Sequence, residues 1–149
     1  MILQVLTLMG VGFVGSVFWV LSPEAAAIYY GSELGWNPVA VGGVVAIAQA
    51  GMYVLLYHFG HVLLTRWGWL ARQIDRTRGR YQTHLDRNYL ILSLAGATTG
   101  IPPIVALATL ASGFEIPLRK FLPVTMLGRV IRFSVLAAVG EALVAWWRG

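Results

Sequence analysis

Long apolar runs with few polar interruptions make up most of this chain. Residues 2–21 contain no charged side chain, and further apolar runs cover 39–65, 89–112 and 121–147. A bilayer core of about 30 Å takes about 20 apolar residues in a helix, so the runs at 39–65 and 121–147 predict membrane-spanning helices. Small residues in the earlier of these two spans favour close packing against other helices.

Proline interrupts the apolar pattern at two places. Ser22-Pro23-Glu24 follows the first run, and Gly100-Ile101-Pro102-Pro103 divides the third. Proline lacks an N–H donor and clashes with the preceding helical turn, whereas the first position of a helix tolerates it. We therefore predict that new helices begin at Pro23, with Ser22 as the N-cap, and at Pro103.

The helices predicted to follow these prolines are too short to cross a bilayer. Glycine and proline signals end them at Leu34 and Ser112, after 12 and 10 residues. At 1.5 Å per residue they extend about 18 and 15 Å, roughly half of the apolar core of a membrane. Such half-length apolar helices are typical of re-entrant segments, which enter and leave the membrane on one side.

The composition indicates an integral membrane protein with one domain. Of 149 residues, 58% are hydrophobic and 11% are charged, whereas soluble proteins carry about 25% charged residues. The net charge is +5, and six of the eleven basic residues lie in the segment 66–88. This concentration predicts a cytoplasmic loop, and not binding to nucleic acid. Because cysteine is absent, disulfides and thiolate metal sites are excluded.

The two halves of the chain repeat one order of segments, a broken segment followed by a spanning one. Arg119 and Lys120 belong on the same side as the basic loop, so the second broken segment opens to the cytoplasm and the first to the opposite side. The predicted fold class is therefore an all-α integral membrane protein with an inverted repeat of re-entrant hairpin plus transmembrane helix.

The predicted boundaries follow from this repeat. Residues 2–21 permit either a spanning helix or one limb of a hairpin, and we favour a limb from Gly10 to Leu21. Within the single domain 1–149 we predict hairpin 1 at 10–36, a transmembrane helix at 38–65, a cytoplasmic basic loop at 66–88, hairpin 2 at 89–114 and a second transmembrane helix at 120–147.

Three ionisable residues, Glu24, Arg129 and Arg132, lie deep in apolar sequence. Each charge costs roughly 2.5–3.5 kcal/mol at mid-membrane, which favours a functional role. Arg129 and Arg132 share a helix face and suit a phosphate, as do the free N–H groups of helices starting at Pro23 and Pro103. Glu24 either pairs with an arginine or exchanges a proton, and the alternative for the arginines is that they only snorkel to the membrane surface or pair with Glu24. The candidate substrate-binding residues are Arg129, Arg132, Glu24, Gly100, Pro102 and Pro103.

Other polar side chains carry weaker signals. Gln49, Thr98 and Thr99 either line a polar path or satisfy backbone groups freed at the breaks. His58 and His61 have no obvious third ligand, so we expect neither a metal site nor a cofactor. The sequence shows no nucleophile with a base partner, which argues against an enzyme.

These motifs together resemble the DedA superfamily, whose members carry a VTT (SNARE-associated) domain, and most closely its short YqaA-type members. The resemblance covers roughly residues 10–140. Its matching residues are Ser22-Pro23-Glu24 and Gly100-Ile101-Pro102-Pro103 at the two hairpin tips, Ala111-Ser112-Gly113 after the second tip, and Gly128-Arg129-Val130-Ile131-Arg132-Phe133 in the last span.

The resemblance implies a multi-pass protein of the bacterial inner membrane that acts as a flippase or scramblase for an anionic lipid, either polyprenyl (undecaprenyl) phosphate or phospholipid. It also implies protons as a coupling partner. The chain departs from the family's pattern at two places, and these departures leave the coupling ion and the identity of the lipid undecided. Gly12 stands where longer members have a second acid, and Ala97-Thr98-Thr99 stands where they have arginines.

Two other functions stay open from the sequence. One is a membrane structural or assembly protein that transports nothing, and the other is a small-solute or ion-coupled transporter. A homodimer is one assembly that a protein of this size permits, and the sequence does not decide for or against it.

Overall fold

The computed structural model describes residues 2–16, 22–66, 68–69, 72, 75–76 and 85–148. Regular structure in these residues is helical, with no strand, as the sequence predicts. The helices with defined bounds are α1 (Ile2–Gly15), α2 (Pro23–Ser32), α3 (Pro38–Arg66), α4 (Leu85–Thr99), α5 (Ile104–Ala111) and α6 (Leu118–Arg148).

Helices α3 and α6 contain segments long and apolar enough to cross a membrane. These segments are Pro38–Gly60 and Leu118–Trp147 in the described part of the chain. They agree with the spans predicted at 38–65 and 120–147 to within a few residues at each end. Helix α6 begins at Leu118, two residues before the predicted start of the last span, so Pro123 is its sixth residue.

The first predicted break is confirmed. Helix α2 begins at Pro23, and Ser22 has an extended backbone with φ −75° and ψ 109°. The Ser22 Oγ accepts a hydrogen bond of 3.2 Å from the Ala25 N–H, which satisfies one of the donors that a helix start leaves open. The helix ends at Ser32, two residues before the predicted end at Leu34.

The second break is also present, although its details differ from the prediction. Helix α4 ends at Thr99 and α5 begins at Ile104, so Pro103 is the N-cap and not the first helical residue. Gly100 has φ +90°, a conformation that a side chain disfavours. The peptide bond between Ile101 and Pro102 is cis. The Thr99 Oγ1 accepts a hydrogen bond of 3.2 Å from the Ile101 N–H within the break.

Three predicted boundaries need correction. The first limb begins at Ile2 and not at Gly10, because the helix uses the whole apolar run up to Gly15. Residues 17–21, which include the end of that limb, lie outside the described residues. The basic loop is narrower than 66–88, because Arg66 ends α3 and α4 already begins at Leu85. Most of the sequence between these helices also lies outside the description.

Contacts divide the chain into two compact units, Met1–Met52 with Met126–Gly149 and Tyr53–Thr125. The first contains α1, α2, the beginning of α3 and most of α6. The second contains the end of α3, all of α4 and α5, and the beginning of α6. Each unit thus consists of two shorter helices together with parts of the two longest ones.

In the first unit, α1 and α2 form an antiparallel pair. The Tyr30 hydroxyl, near the end of α2, donates a hydrogen bond of 2.9 Å to the Gln4 carbonyl, near the start of α1. Apolar side chains from α1, α2, α3 and α6 fill the space between them. The fully buried members of this core are Leu8, Ala27, Tyr30, Val41, Val45, Phe133 and Ala137.

Two glycines let backbones approach closely in this unit. A Cβ atom at Gly31 would lie 2.7 Å from the Ala137 carbonyl oxygen, and one at Gly42 would lie 2.7 Å from the Val130 carbonyl oxygen. Real Cβ atoms do not approach a backbone oxygen so closely. The absence of a side chain at these positions therefore sets the spacing of α2 and α3 from α6.

The second unit is built on an α4–α5 hairpin. The Tyr89 hydroxyl of α4 donates a hydrogen bond to the Leu107 carbonyl of α5, and the Tyr57 hydroxyl donates one of 3.0 Å to the Ile116 carbonyl. The hydroxyl groups of both tyrosines are thus hydrogen-bonded inside an apolar interior. The fully buried residues of this core are Tyr53, Tyr89, Ala97, Ile104, Leu107, Ala108, Ala111, Ile116 and Phe121.

The neighbouring residues Gly42 and Gly43 provide a matched test of the packing of α3 against α6. Gly42→Ala forces its new methyl group against Val130 and Ser134, so we expect the free energy of unfolding to fall by about 1–3 kcal/mol. Gly43 has open space around its Cβ position, so Gly43→Ala should be neutral or raise stability by up to about 1 kcal/mol through helix propensity. Denaturant unfolding of detergent-solubilised protein measures both. Equal effects of the two substitutions would contradict the close approach.

Candidate functional site

An ion pair joins α2 to α6 inside the first unit. The Nη2 atom of Arg132 lies 3.2 Å from the Oε1 atom of Glu24. The side chains of Arg132 and Glu24 are 22% and 35% exposed, so the pair is half-buried. The Ser22 Oγ donates a hydrogen bond of 3.3 Å to the other carboxylate oxygen, Oε2. Both oxygens of Glu24 are therefore engaged, and the carboxylate is held in one orientation.

The ion pair lies at the middle of the last helix. Arg132 is the fifteenth of the 31 residues of α6. Further along, the Gly31 position contacts Ala137, and the Gly140 position contacts Ile28. These contacts place α2 beside the second half of α6. The first turn of α2, with its carboxylate, therefore reaches the centre of an apolar helix of membrane-spanning length.

Arg129 lies one turn before Arg132 on α6. Its side chain is buried, with 9% exposure, and its Cζ atom lies 5.8 Å from the centre of the Phe133 ring. This distance is within the range of a cation–π interaction, which offsets part of the cost of burying the charge. Phe133 is itself fully buried in the core of the unit, so the position of Arg129 is constrained by packing.

The charges of this cluster favour an anion. Arg129 and Arg132 contribute two positive charges, and Glu24 contributes a negative charge that pairs with Arg132. The N-terminus of α2 adds the positive end of the helix dipole, while the N–H groups of Ala25 and Ala26 already donate to Ser22. Chemically, the cluster suits a phosphate or carboxylate that takes hydrogen bonds from guanidinium groups.

The remaining predicted substrate residues, Gly100, Pro102 and Pro103, belong to the second unit and lie together in its α4–α5 connection. The Gly100 N–H donates a hydrogen bond of 2.9 Å to the Gly96 carbonyl, which closes the end of α4. A Cβ at Gly96 would lie 2.5 Å from the Pro102 carbonyl oxygen, so the connection packs directly on the helix before it.

The three residues predicted for a polar path are divided between the units. Gln49 lies in the first unit and is buried, with 1% exposure. In the second unit, the Thr98 Oγ1 donates to the Leu94 carbonyl at 2.9 Å, and the Thr99 Oγ1 donates to the Ala95 carbonyl at 2.7 Å. Both threonine hydroxyls thus bond to carbonyls of the preceding turn of α4.

No metal centre is evident in the described part of the chain. Among those residues, no three His, Cys, Asp or Glu side chains lie close enough together to hold an ion. His58 is exposed, and its Nδ1 lies 2.8 Å from the Val54 carbonyl oxygen of the same helix. The side chain of His61 lies outside the description.

The sequence alone did not assign Ser22 to the charged cluster. Its predicted role was to cap α2, and it does so, but its hydroxyl also donates to Glu24. The sequence signal for this contact was that Ser22 and Glu24 are only two positions apart. A serine N-cap and an acid in the first turn lie at the same end of a helix. The sequence could not show whether Glu24 pairs with Arg129 or with Arg132, because both arginines lie on one face of α6.

Comparison with protein-family models, curated proteins and solved structures finds no match to this chain. The resemblance to the DedA superfamily thus rests on the motifs described above and stays a prediction. The geometry of the first unit carries the functional argument that follows.

A double-mutant cycle measures the ion pair. We expect Glu24→Gln and Arg132→Gln to be coupled by about 1–2 kcal/mol in unfolding free energy, because either single change leaves a half-buried charge without its partner. The matched control pairs Arg132→Gln with Glu33→Gln, an exposed carboxylate at the opposite end of α2. That control cycle should be additive within about 0.5 kcal/mol. Additivity in both cycles would mean that the Glu24–Arg132 contact contributes nothing to the free energy of unfolding.

Proposed function

We propose that the chain transports a lipid across the bacterial inner membrane by carrying its phosphate headgroup, with polyprenyl phosphate or a phospholipid as the substrate. The single observation that supports this proposal is the Glu24–Arg132 ion pair at the middle of α6, with Arg129 one turn away. The acyl or polyprenyl chain stays in the lipid, so the protein needs to move only the polar end.

The energetic argument concerns the cost of these charges. A charged side chain at the bilayer centre costs roughly 2.5–3.5 kcal/mol on insertion scales. A purely structural α6 would be more stable with apolar residues at 129 and 132. The two arginines are useful if an anion visits the cluster, because a phosphate forms bidentate hydrogen bonds with guanidinium groups.

The hydrogen bonds suggest how the headgroup binds. A phosphate oxygen replaces the Oε1 atom of Glu24 as the acceptor for the Nη2 of Arg132. Arg129 supplies further donors, and the positive end of the α2 dipole lies close to the bound anion. Glu24 keeps its hydrogen bond from Ser22 in the bound state. When the phosphate leaves, Glu24 pairs with Arg132 again.

The dimensions of the hairpin helices support a re-entrant arrangement. Helices α1 and α2 have 14 and 10 residues, or about 21 and 15 Å, and neither reaches the roughly 30 Å of an apolar core. Because α2 begins beside the middle of α6, a hairpin of this length brings Glu24 near mid-membrane. The inverted repeat and the DedA-like assignment extend this proposal to the rest of the chain.

A structural or assembly role is the second candidate, and one observation favours it. Both carboxylate oxygens of Glu24 already have partners, so the carboxylate needs no ligand to be satisfied. In that case the charges only fasten α2 to α6. Replacing Glu24 and Arg132 together by glutamine would then preserve function wherever folding is preserved.

A lipid-flip assay in liposomes tests the transport proposal. We expect Arg129→Ala and Arg132→Ala each to slow the flip of a fluorescent phosphate-bearing lipid at least tenfold, because each removes a donor to the phosphate. Arg119→Ala is the matched control, since Arg119 is exposed near the start of the same helix, and it should retain the wild-type rate.

Two further results decide between the candidates. Folded Glu24→Gln/Arg132→Gln protein that flips lipid at the wild-type rate would support the structural role and overturn the transport mechanism. An unchanged rate in both single arginine variants would remove the proposed phosphate-binding role. Size-exclusion profiles and helical circular dichroism establish which variants are folded.

A further inference from the structure

The stretch that links α3 to α4 carries most of the positive charge of the chain. Residues 66–88 contain six of the eleven basic side chains and only two aspartates, an excess of four positive charges. In the described part of this stretch, Arg66, Arg72 and Arg76 are all exposed. Exposed charges of one sign that outnumber their counter-ions attract a surface of the opposite sign.

Trp69, Arg72 and Arg76 form one face of this segment, which we call the basic face. The backbone is helical at all three residues, and residues three, four and seven positions apart lie on the same side of a helix. The guanidinium of Arg72 lies back over the preceding turn, since a Cβ at Gly68 would be 3.9 Å from its Nη1 atom. Trp69 is 69% exposed. The basic face thus combines an uncovered indole with two guanidinium groups.

The start of this segment belongs at the membrane surface. The apolar segment of α3 ends at Gly60 and the helix itself at Arg66, about 9 Å further along at 1.5 Å per residue. The headgroup layer extends about 5–8 Å on each side of the hydrocarbon core, and Trp69 follows Arg66 directly. Tryptophan at the end of a spanning helix is enriched at the level of the headgroups. The surface nearest to the basic face is therefore that of the bilayer itself.

The charge of the segment selects the kind of lipid. Guanidinium groups form bidentate hydrogen bonds with phosphate, but a zwitterionic headgroup brings an ammonium group that offsets the attraction. Asp75, which is also exposed and helical, removes one positive charge beside Arg76, and the excess of the whole segment already includes it. Each arginine near an anionic membrane surface strengthens binding about fivefold. A lipid with a net negative charge is thus the partner that fits.

We propose that the basic face binds the phosphates of anionic phospholipids at the membrane surface, with Arg72 and Arg76 as the phosphate contacts and Trp69 as the interfacial anchor. This contact holds the Arg66 end of α3 against the bilayer and enriches anionic lipids around the second unit. It involves neither Arg129 nor Arg132, so it stands whether or not the chain transports lipid.

The absence of cysteine from the chain allows a local test. Gly68→Cys introduces a single thiol at an exposed position beside Arg72, and the environment-sensitive fluorophore bimane can be attached to it. The labelled chain is reconstituted in nanodiscs of dioleoyl phosphatidylcholine, alone or mixed equally with dioleoyl phosphatidylglycerol. Quenching by the neutral molecule acrylamide measures how far the segment is shielded. We expect quenching to be about twofold or more weaker with phosphatidylglycerol, and high salt should reverse this difference because it screens the attraction.

Three variants of the labelled protein complete the test. Arg72→Gln/Arg76→Gln should abolish the difference between the two lipids, whereas Arg72→Lys/Arg76→Lys keeps the charge and should retain most of it. Arg119→Gln removes an exposed arginine outside the basic face and should leave the difference unchanged. Equal quenching in both lipids without these substitutions would overturn the proposal. So would a difference of full size in folded Arg72→Gln/Arg76→Gln protein.

Discussion

The Glu24–Arg132 ion pair is the interaction on which the first unit depends. A guanidinium at the centre of an apolar helix has to be compensated by a neighbouring element, and α2 provides the carboxylate from its first turn. Three successive residues perform this task. Ser22 caps the helix and orients the carboxylate, Pro23 fixes the start of the helix, and Glu24 bears the charge. The break in the backbone and the charged cluster therefore have one local origin.

Close backbone packing is what allows this pair to form. The contacts of Gly31 with Ala137 and of Gly42 with Val130 bring α2 and α3 against α6. A side chain at either glycine would push the helices apart and lengthen the distance between the charged groups. The packing around Arg129 has the same consequence, because Phe133 fixes that side chain from the core. Apolar packing thus determines the geometry of the polar groups.

The sequence predicted those features that have a local chemical cause. Proline and serine chemistry placed the start of α2 correctly at Pro23, and hydrophobic length identified the long helices α3 and α6. The same rules misplaced the start of α5, because Pro103 satisfies the constraints of an N-cap as well as those of a first helical residue. They also predicted an end of α2 that is two residues too late, since Leu34 packs against the core without being helical. The partner of Glu24 was not predictable, because it depends on how far α2 is offset along α6, and tertiary packing sets that offset.

Exposure separates the roles of the two arginines. Arg132 is 22% exposed and pairs with a carboxylate that is 35% exposed, whereas Arg129 is buried against Phe133. Partly exposed ion pairs are weaker than their geometry suggests. Under the proposed function, a phosphate would therefore have less to displace at Arg132 than in a fully buried pair, and it would reach Arg132 before the buried Arg129. In that mechanism the headgroup would exchange with Glu24 before it engages Arg129. The first turn of α2, to which Ser22 and Glu24 belong, would then be the part of the hairpin that responds to the ligand.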